Sequence, residues 1–191
     1  YEVPLDVYNI INHIYETNFQ KLPQANKQLV GKIEKEHSLF FGGSPNDKMK
    51  PHNLLPDVVR GWFEKIFRHY LDWNKIKGYK MHLNSVWINN MFQHEYNPVH
   101  VHQGTLFTGL SSVMILKLPE SFGVEYSSTH QPQNGRLQIL GSASGQFATI
   151  DYQPELKERD FYIFPYDMRH TVYPFNGPGM RRSLAANMDV Q

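Results

Sequence analysis

The feature that most restricts this chain is a change of hydrophobic period near residue 75. Up to that point apolar residues recur at steps of three and four, as one face of a helix requires. From about Lys80 they alternate every second residue, as a half-buried strand requires. Pro4 suits the first turn of a helix that carries Val7, Ile10, Ile11, Ile14 and Asn18 on one side and ends near Phe19. A second helix is expected around Leu29 and Ile33, with Lys32, Glu34, Lys35 and Glu36 as its charged residues, and the Gly42–Asp47 run supplies a loop after it. Pro56-Asp57 opens a third, in which Val59, Trp62, Phe63, Ile66, Phe67, Tyr70 and Trp73 make a broad apolar face that must pack on something large.

Candidate strands follow at 80–92, 106–118, 135–140, 146–151, 160–165, 170–174 and 180–189, separated by turn-rich segments such as Gln131-Pro132-Gln133-Asn134-Gly135. Short strands at this spacing suggest a sandwich or jelly roll, and 13 Gly and 12 Pro provide its turns. The fold class is therefore α+β, with helices buttressing one sheet. No repeat or linker divides the 191 residues, so one domain is expected over 1–191, with 1–75 as helical support and 80–191 as the core.

Charge and composition exclude several functions. Nineteen Lys and Arg against 18 Asp and Glu give a net charge of +1, too little for the field that gathers nucleic acid or anionic lipid. The absence of cysteine excludes a disulfide scaffold, a zinc ribbon, an iron–sulfur cluster and a thiol nucleophile, and it agrees with a reducing cytoplasm. Any metal must then use His, Asp or Glu. The apolar stretch around Val113 to Leu118 is far short of the roughly 20 residues of a membrane span. Opening at Tyr1 and not at Met is what a trimmed or mature form would have.

Three segments could carry chemistry. In His100-Val101-His102 the two histidines share a strand face, so two imidazoles can converge on one ion, although the pair alone is weak evidence. Pro98 interrupts ladder pairing just before them and sets them at a sheet mouth. In Asp160–His170 a hydrophobic strand and a proline-led turn deliver His170 to a strand edge. In Met180–Asn187 the two-residue rule puts Arg181, Ser183, Ala185 and Asn187 on one face, where a guanidinium beside a hydroxyl can receive a carboxylate. Arg182 falls on the opposite face and reads as a solvated strand end, and strand 180–189 is expected to return beside strand 170–174.

In this order, His-x-His, then Phe-Pro-x4-His about 70 residues on, then Arg-x-Ser eleven residues later, the chain resembles the double-stranded β-helix (jelly roll) core of the iron(II)- and 2-oxoglutarate-dependent oxygenases. More narrowly, Asn97–His102, Leu110–Pro119, Phe164-Pro165 through His170 to Pro174, and Arg181–Asn187 resemble the oxygenases common in marine phages and bacteria. The resemblance covers roughly residues 80–189. It implies Fe(II), 2-oxoglutarate and O2, and a dioxygenase that hydroxylates a C–H bond with release of succinate and CO2. It also implies that His100 and His170 are metal ligands, that Arg181 pairs with the distal carboxylate of 2-oxoglutarate, and that Ser183 donates to the same group. At position 102, where most of that superfamily has Asp or Glu, this chain has His102. That leaves either a three-His site or a two-His site with water in the third place. Asn90 and Tyr96, polar residues upstream of the ligands, are candidates for contacting the cosubstrate, with packing or turn roles as the alternative. His94 and His130 read as surface residues.

Two rivals stand beside this reading. A cupin-like metalloenzyme without 2-oxoglutarate shares the His-x-His strand, but Gln103 to Thr108 lack the glutamate it would need; three histidines would also suit a zinc-activated water. A non-catalytic jelly-roll binding module is the other rival. The loops 120–135 and 141–146 are expected to frame the mouth, where Tyr126, Ser127, Ser128, Gln131 and Gln133 would suit a polar substrate such as a peptide or amino-acid side chain. The expected location is the cytoplasm of a bacterium or a phage-infected host, with no membrane and no nucleic acid as partner.

Overall fold

A computed structural model describes residues 1–25, 31–43, 49–125, 132–142 and 151–191 of the chain. Helix α1 (Leu5–Asn18) buries Val7, Ile11 and Tyr15 at steps of four and runs into a 3-10 turn over Phe19–Lys21. Helix α2 (Asp57–Trp73) buries Val59, Phe63, Phe67 and Leu71 in the same way. The first and third expected helices therefore form where the periodicity puts them. Trp73, expected on the apolar face, is instead 77% exposed, because it closes the helix beyond the packed stripe.

The expected second helix does not form over Lys35 and Glu36. Residues Lys35–Phe41 are strand β1, paired antiparallel with β3 (Met81–Met91) from Lys35↔Asn90 to Phe41↔Ser85. Leu29 lies outside the described residues. Glu36 and Ser38 line the interior cavity while His37 reaches Tyr15 on the helix side, so the period there is two. The run of charges hides that alternation, and pairing with a long central strand overrides helix propensity.

Two antiparallel sheets make the jelly-roll core. Strands β2 (His52–Asn53), β5 (Gly109–Lys117), β8 (Phe161–Pro165) and β10 (Arg181–Val190) join β1 and β3 in a six-stranded sheet of order β2-β1-β3-β10-β5-β8. Strands β4 (Asn97–His100), β6 (Leu137–Leu140), β7 (Asp151–Tyr152) and β9 (Arg169–Val172) make a second sheet of order β4-β9-β6-β7. The strand expected over 146–151 lies, apart from its last residue, outside the described residues.

One expectation about connectivity is overturned. Strand β10 does not return beside β9; it crosses to the other sheet and lies between β3 and β5. Phe175, 1% exposed, is buried in the intersheet core along the crossing, and Gly179 turns the chain with φ +104°. A strand buried on both faces, as β10 is, suits the centre of a sheet, where both of its backbone edges find partners.

Each face of the large sheet has its own core. Helix residues Val7, Ile11, Phe63 and Phe67 cluster with Ile88, Met114, Phe161 and Leu184 on the outer face of the large sheet. Between the sheets, Met91, Val113, Ile115 and Phe164 pack with Leu137, Ile139 and Val172. Among the described residues no helix is long and apolar enough to cross a membrane.

Candidate active site

The three histidines meet because of a register. In the β4–β9 pair His100 lies directly opposite His170, and their ring centroids are 4.2 Å apart. His102 follows two residues later, where its backbone N–H donates to the Tyr166 carbonyl at 2.9 Å. That contact brings the His102 ring to 5.0 Å from His100 and 4.9 Å from His170. One ligand nitrogen from each of the three lies within 4.8 Å of the others, and among the described residues no carboxylate joins the group.

Local hydrogen bonds determine which nitrogen each ring presents. His100 Nδ1 donates to the Pro98 carbonyl at 2.7 Å, and His170 Nδ1 donates to the Met168 carbonyl at 3.0 Å. Both rings are thereby held as the tautomer whose Nε2 is unprotonated, the arrangement a metal-binding histidine needs. Asn97 Nδ2 donates to His100 Nε2 at 3.3 Å, and His102 Nε2 lies 3.1 Å from His170 Nε2. Burial holds the rings neutral. It pushes His170 down to about 4, with the neighbouring His100 adding to the effect. Burial and then the other two rings push His102 well below the ordinary histidine range, and burial lowers His100 despite the Pro98 carbonyl. Protons therefore do not compete for these nitrogens near neutral pH.

The histidines open on a cavity of about 740 Å³ between the two sheets. Ser183, Ala185 and Asn187 of β10 line it, in the alternation read from sequence. Arg181 stands behind Ser183 and donates from Nη1 to its hydroxyl at 3.2 Å. The guanidinium is 2% exposed, and its Nε and Nη2 have no acceptor. Burial pulls it down to about 10, partly opposed by Tyr162. A buried cation with idle donors is an incomplete receptor for an anion.

Two residues proposed for cosubstrate contact lie elsewhere. Asn90 faces the helices: its Nδ2 donates to the Tyr15 hydroxyl at 2.7 Å, and its Oδ1 accepts from Arg182 Nε at 2.8 Å. Its neighbour Asn89 is the one that lines the cavity. Tyr96 is exposed, bridges to Lys32 and does not line the cavity. Arg182 is not a solvated strand end either. It is 6% exposed, lies over the Tyr15 ring at 4.5 Å, and pairs with Glu16, because α1 covers that face of β10.

His94 is exposed as expected, while His130, Tyr126, Ser127, Ser128 and Gln131 lie outside the described residues. Gln133 accepts from Gln153 Nε2 at 3.0 Å. The sequence reading missed Glu36, Trp87 and the 103–107 rim of the cavity. Trp87 and Asn89 alternate along β3, a signal that was present; Glu36 had none once its segment read as helix.

Comparison with known proteins agrees with this arrangement. The family model described as "Putative 2OG-Fe(II) oxygenase" matches residues 85–187, more than half of the chain, which include the three histidines, Arg181 and Ser183. No curated protein matches the chain. Among solved structures, an oxidoreductase of the 2OG-Fe(II) oxygenase family from Burkholderia pseudomallei superposes with a TM-score of 0.59 at 13% identity, covering 95% of this chain and 77% of that one. A Pseudomonas putida prolyl-4-hydroxylase gives 0.55 at 12% identity, covering 98% and 88%. A Trichoplax adhaerens prolyl hydroxylase, solved with a hypoxia inducible factor peptide fragment, gives 0.58 at 10% identity, covering 96% and 78%. At these identities the likeness is one of fold.

Proposed function

The chain belongs to the 2OG-Fe(II) oxygenase family and is an oxidoreductase, and from that premise we propose that it hydroxylates a C–H bond of a peptide or amino-acid side chain. Family membership implies Fe(II), 2-oxoglutarate and O2 as the reacting set. The observation that carries the proposal is the convergence of three neutral imidazoles, within 4.8 Å of one another, on a cavity lined by Ser183, whose hydroxyl accepts from the buried Arg181 with its two idle donors.

The donor sets fit the groups the family implies. His100, His170 and His102 would hold the metal, imidazole being a suitable ligand for iron. Arg181 and Ser183 would hold the distal carboxylate of 2-oxoglutarate through charge-assisted bonds. When bound, iron and 2-oxoglutarate supply the oxidising power: one O2 is divided between succinate and the hydroxylated product, and CO2 is released. The Pro98 and Met168 carbonyls keep His100 and His170 in the ligating tautomer. Three neutral ligands leave the full charge of a divalent ion in place, which favours a dianionic cosubstrate. The two helices act as support for the catalytic core, and β1 adds Glu36 and Ser38 to the cavity wall. The Trichoplax adhaerens neighbour, solved with a peptide fragment, supports the choice of a peptide substrate.

Anaerobic Fe(II) titration, followed by 2-oxoglutarate and its visible absorption, tests the reading. His100→Ala or His170→Ala should weaken iron binding at least about 100-fold. His102→Ala should weaken it strongly, and His102→Asp should retain it. Arg181→Ala should raise the 2-oxoglutarate requirement roughly 10- to 100-fold with iron binding intact. Unchanged iron affinity in both the His100 and the His170 variants would remove this site from consideration. Succinate formation across peptide, amino-acid and nucleotide candidates then identifies the prime substrate.

A further inference from the structure

The described residues bury three carboxyls to 5% exposure or less, Glu36, Glu95 and Asp189, and two of them have evident structural work. Glu95 accepts the backbone N–H groups of Glu34 and Phe92 at 3.0 and 2.7 Å. Asp189 accepts from the Tyr166 hydroxyl and from the backbone of Thr105, both at 3.0 Å. Glu36 differs: its Oε2 is shielded from solvent, has no donor, and belongs to a residue that lines the cavity.

Glu36 belongs to neither set of groups already assigned. It is absent from the cluster of metal-ligating atoms. It does not suit 2-oxoglutarate, which is itself an anion and has Arg181 and Ser183 opposite its carboxylate. Register places Glu36 opposite Asn89, and Asn89 opposite Ser183, so the three form one row across β1, β3 and β10. Two strand spacings, about 10 Å, separate the backbones at the ends of that row. Asn89 and Asn187, also in the cavity wall, each have an Oδ1 that is buried without a donor. In this row Glu36 and Asn89 both carry unmet acceptors, Asn187 adds one four residues farther along β10, and the unmet donors of Arg181 lie behind Ser183.

An unpaired buried carboxylate costs several kcal/mol unless it is protonated or paired, and one that lines a cavity is placed to be paired by a cationic ligand. We propose that Glu36 determines substrate specificity by receiving an alkylammonium or guanidinium group, as on a lysine- or arginine-type side chain, with Asn89 accepting beside it. The cation would sit on the β1 side of the cavity, across the row from Ser183, leaving the carbon chain to run toward the histidines. This inference rests on the cavity being the oxygenase site described above. Burial already raises the Glu36 carboxyl to about 7, and a cation beside it would favour the ionised form.

Calorimetry on anaerobic protein loaded with Fe(II) and 2-oxoglutarate tests this, using capped lysine, capped arginine and capped norleucine, a neutral counterpart of lysine. In the wild type, at least one cationic probe should bind about tenfold or more tighter than norleucine. Glu36→Gln should abolish that preference while leaving norleucine, Fe(II) and 2-oxoglutarate binding unchanged. Equal binding of all three probes to the wild type, or a cationic preference that survives in Glu36→Gln, overturns the proposal. Neither result depends on turnover, and loss of Fe(II) or 2-oxoglutarate binding in the histidine and Arg181 variants is scored separately, so failure here is distinguishable from failure of the oxygenase site.

Discussion

Glu36 is where one residue changes the behaviour of the folded state with pH. Its carboxyl is raised by burial from 4.5 to about 7, so the folded protein keeps a proton that the unfolded chain gives up. The folded state then binds more protons than the unfolded state between those values, and stability falls as pH rises through that window, levelling off above about 7. The shift corresponds to about 3 kcal/mol once the carboxyl is ionised. Glu36→Gln removes this contribution. Chemical denaturation of the metal-free protein should find the variant gaining on the wild type between pH 5 and pH 8, by up to that amount. Parallel stability curves for the two proteins would mean that the carboxyl is solvated.

At the scale of elements, β10 organises the site from both of its faces. Toward the helices, Arg182 gathers Asn90, Tyr15 and Glu16. Toward the sheet interior, Asp189 holds the cavity rim: Oδ2 accepts from the backbone N–H of Thr105 at 3.0 Å and of Leu106 at 3.3 Å, and Oδ1 from the Tyr166 hydroxyl. The rim continues to Phe107, which is 87% exposed at the cavity. Asp189→Ala leaves buried donors unpaired and should cost about 3 kcal/mol. The specific sign is hydrogen exchange: the Thr105 and Leu106 amides should lose protection before the amides of β5, such as Met114. Uniform loss across all of them would mean that Asp189 supports the whole fold and not the rim.

For the whole molecule, the metal would join parts that the fold brings together from different places. His100 and His170 belong to adjacent strands of the small sheet, and His102 belongs to the rim that Asp189 ties to the large one. A ligand that binds only this arrangement stabilises it by mass action, about 2.7 kcal/mol at 100 times its Kd. At roughly 2–4 °C per kcal/mol for a chain of this size, Fe(II) under anaerobic conditions should raise the Tm by about 5–10 °C. The increase should vanish in a variant with all three histidines changed to Ala. An equal increase in that variant would locate the stabilising ion elsewhere.

How far the sequence reached depended on whether a signal was local. Hydrophobic period by itself determined the two main helices, most of the strand positions and the shared face of Arg181, Ser183, Ala185 and Asn187, since side-chain direction follows from backbone period alone. His-x-His set two rings two residues apart, but only the His100↔His170 register brought the third ring between the sheets. Tertiary pairing decided the rest. It drew Lys35–Phe41 into a strand and so brought Glu36 to the cavity, and it moved β10 from the expected hairpin to the centre of the large sheet. It also chose Asn89 over Asn90 for the cavity, because facing is settled by which side of β3 the helices cover. A helix face or a strand face is written in consecutive residues; which sheet a strand joins depends on the burial and backbone partners available across the whole chain, and no short window contains that information.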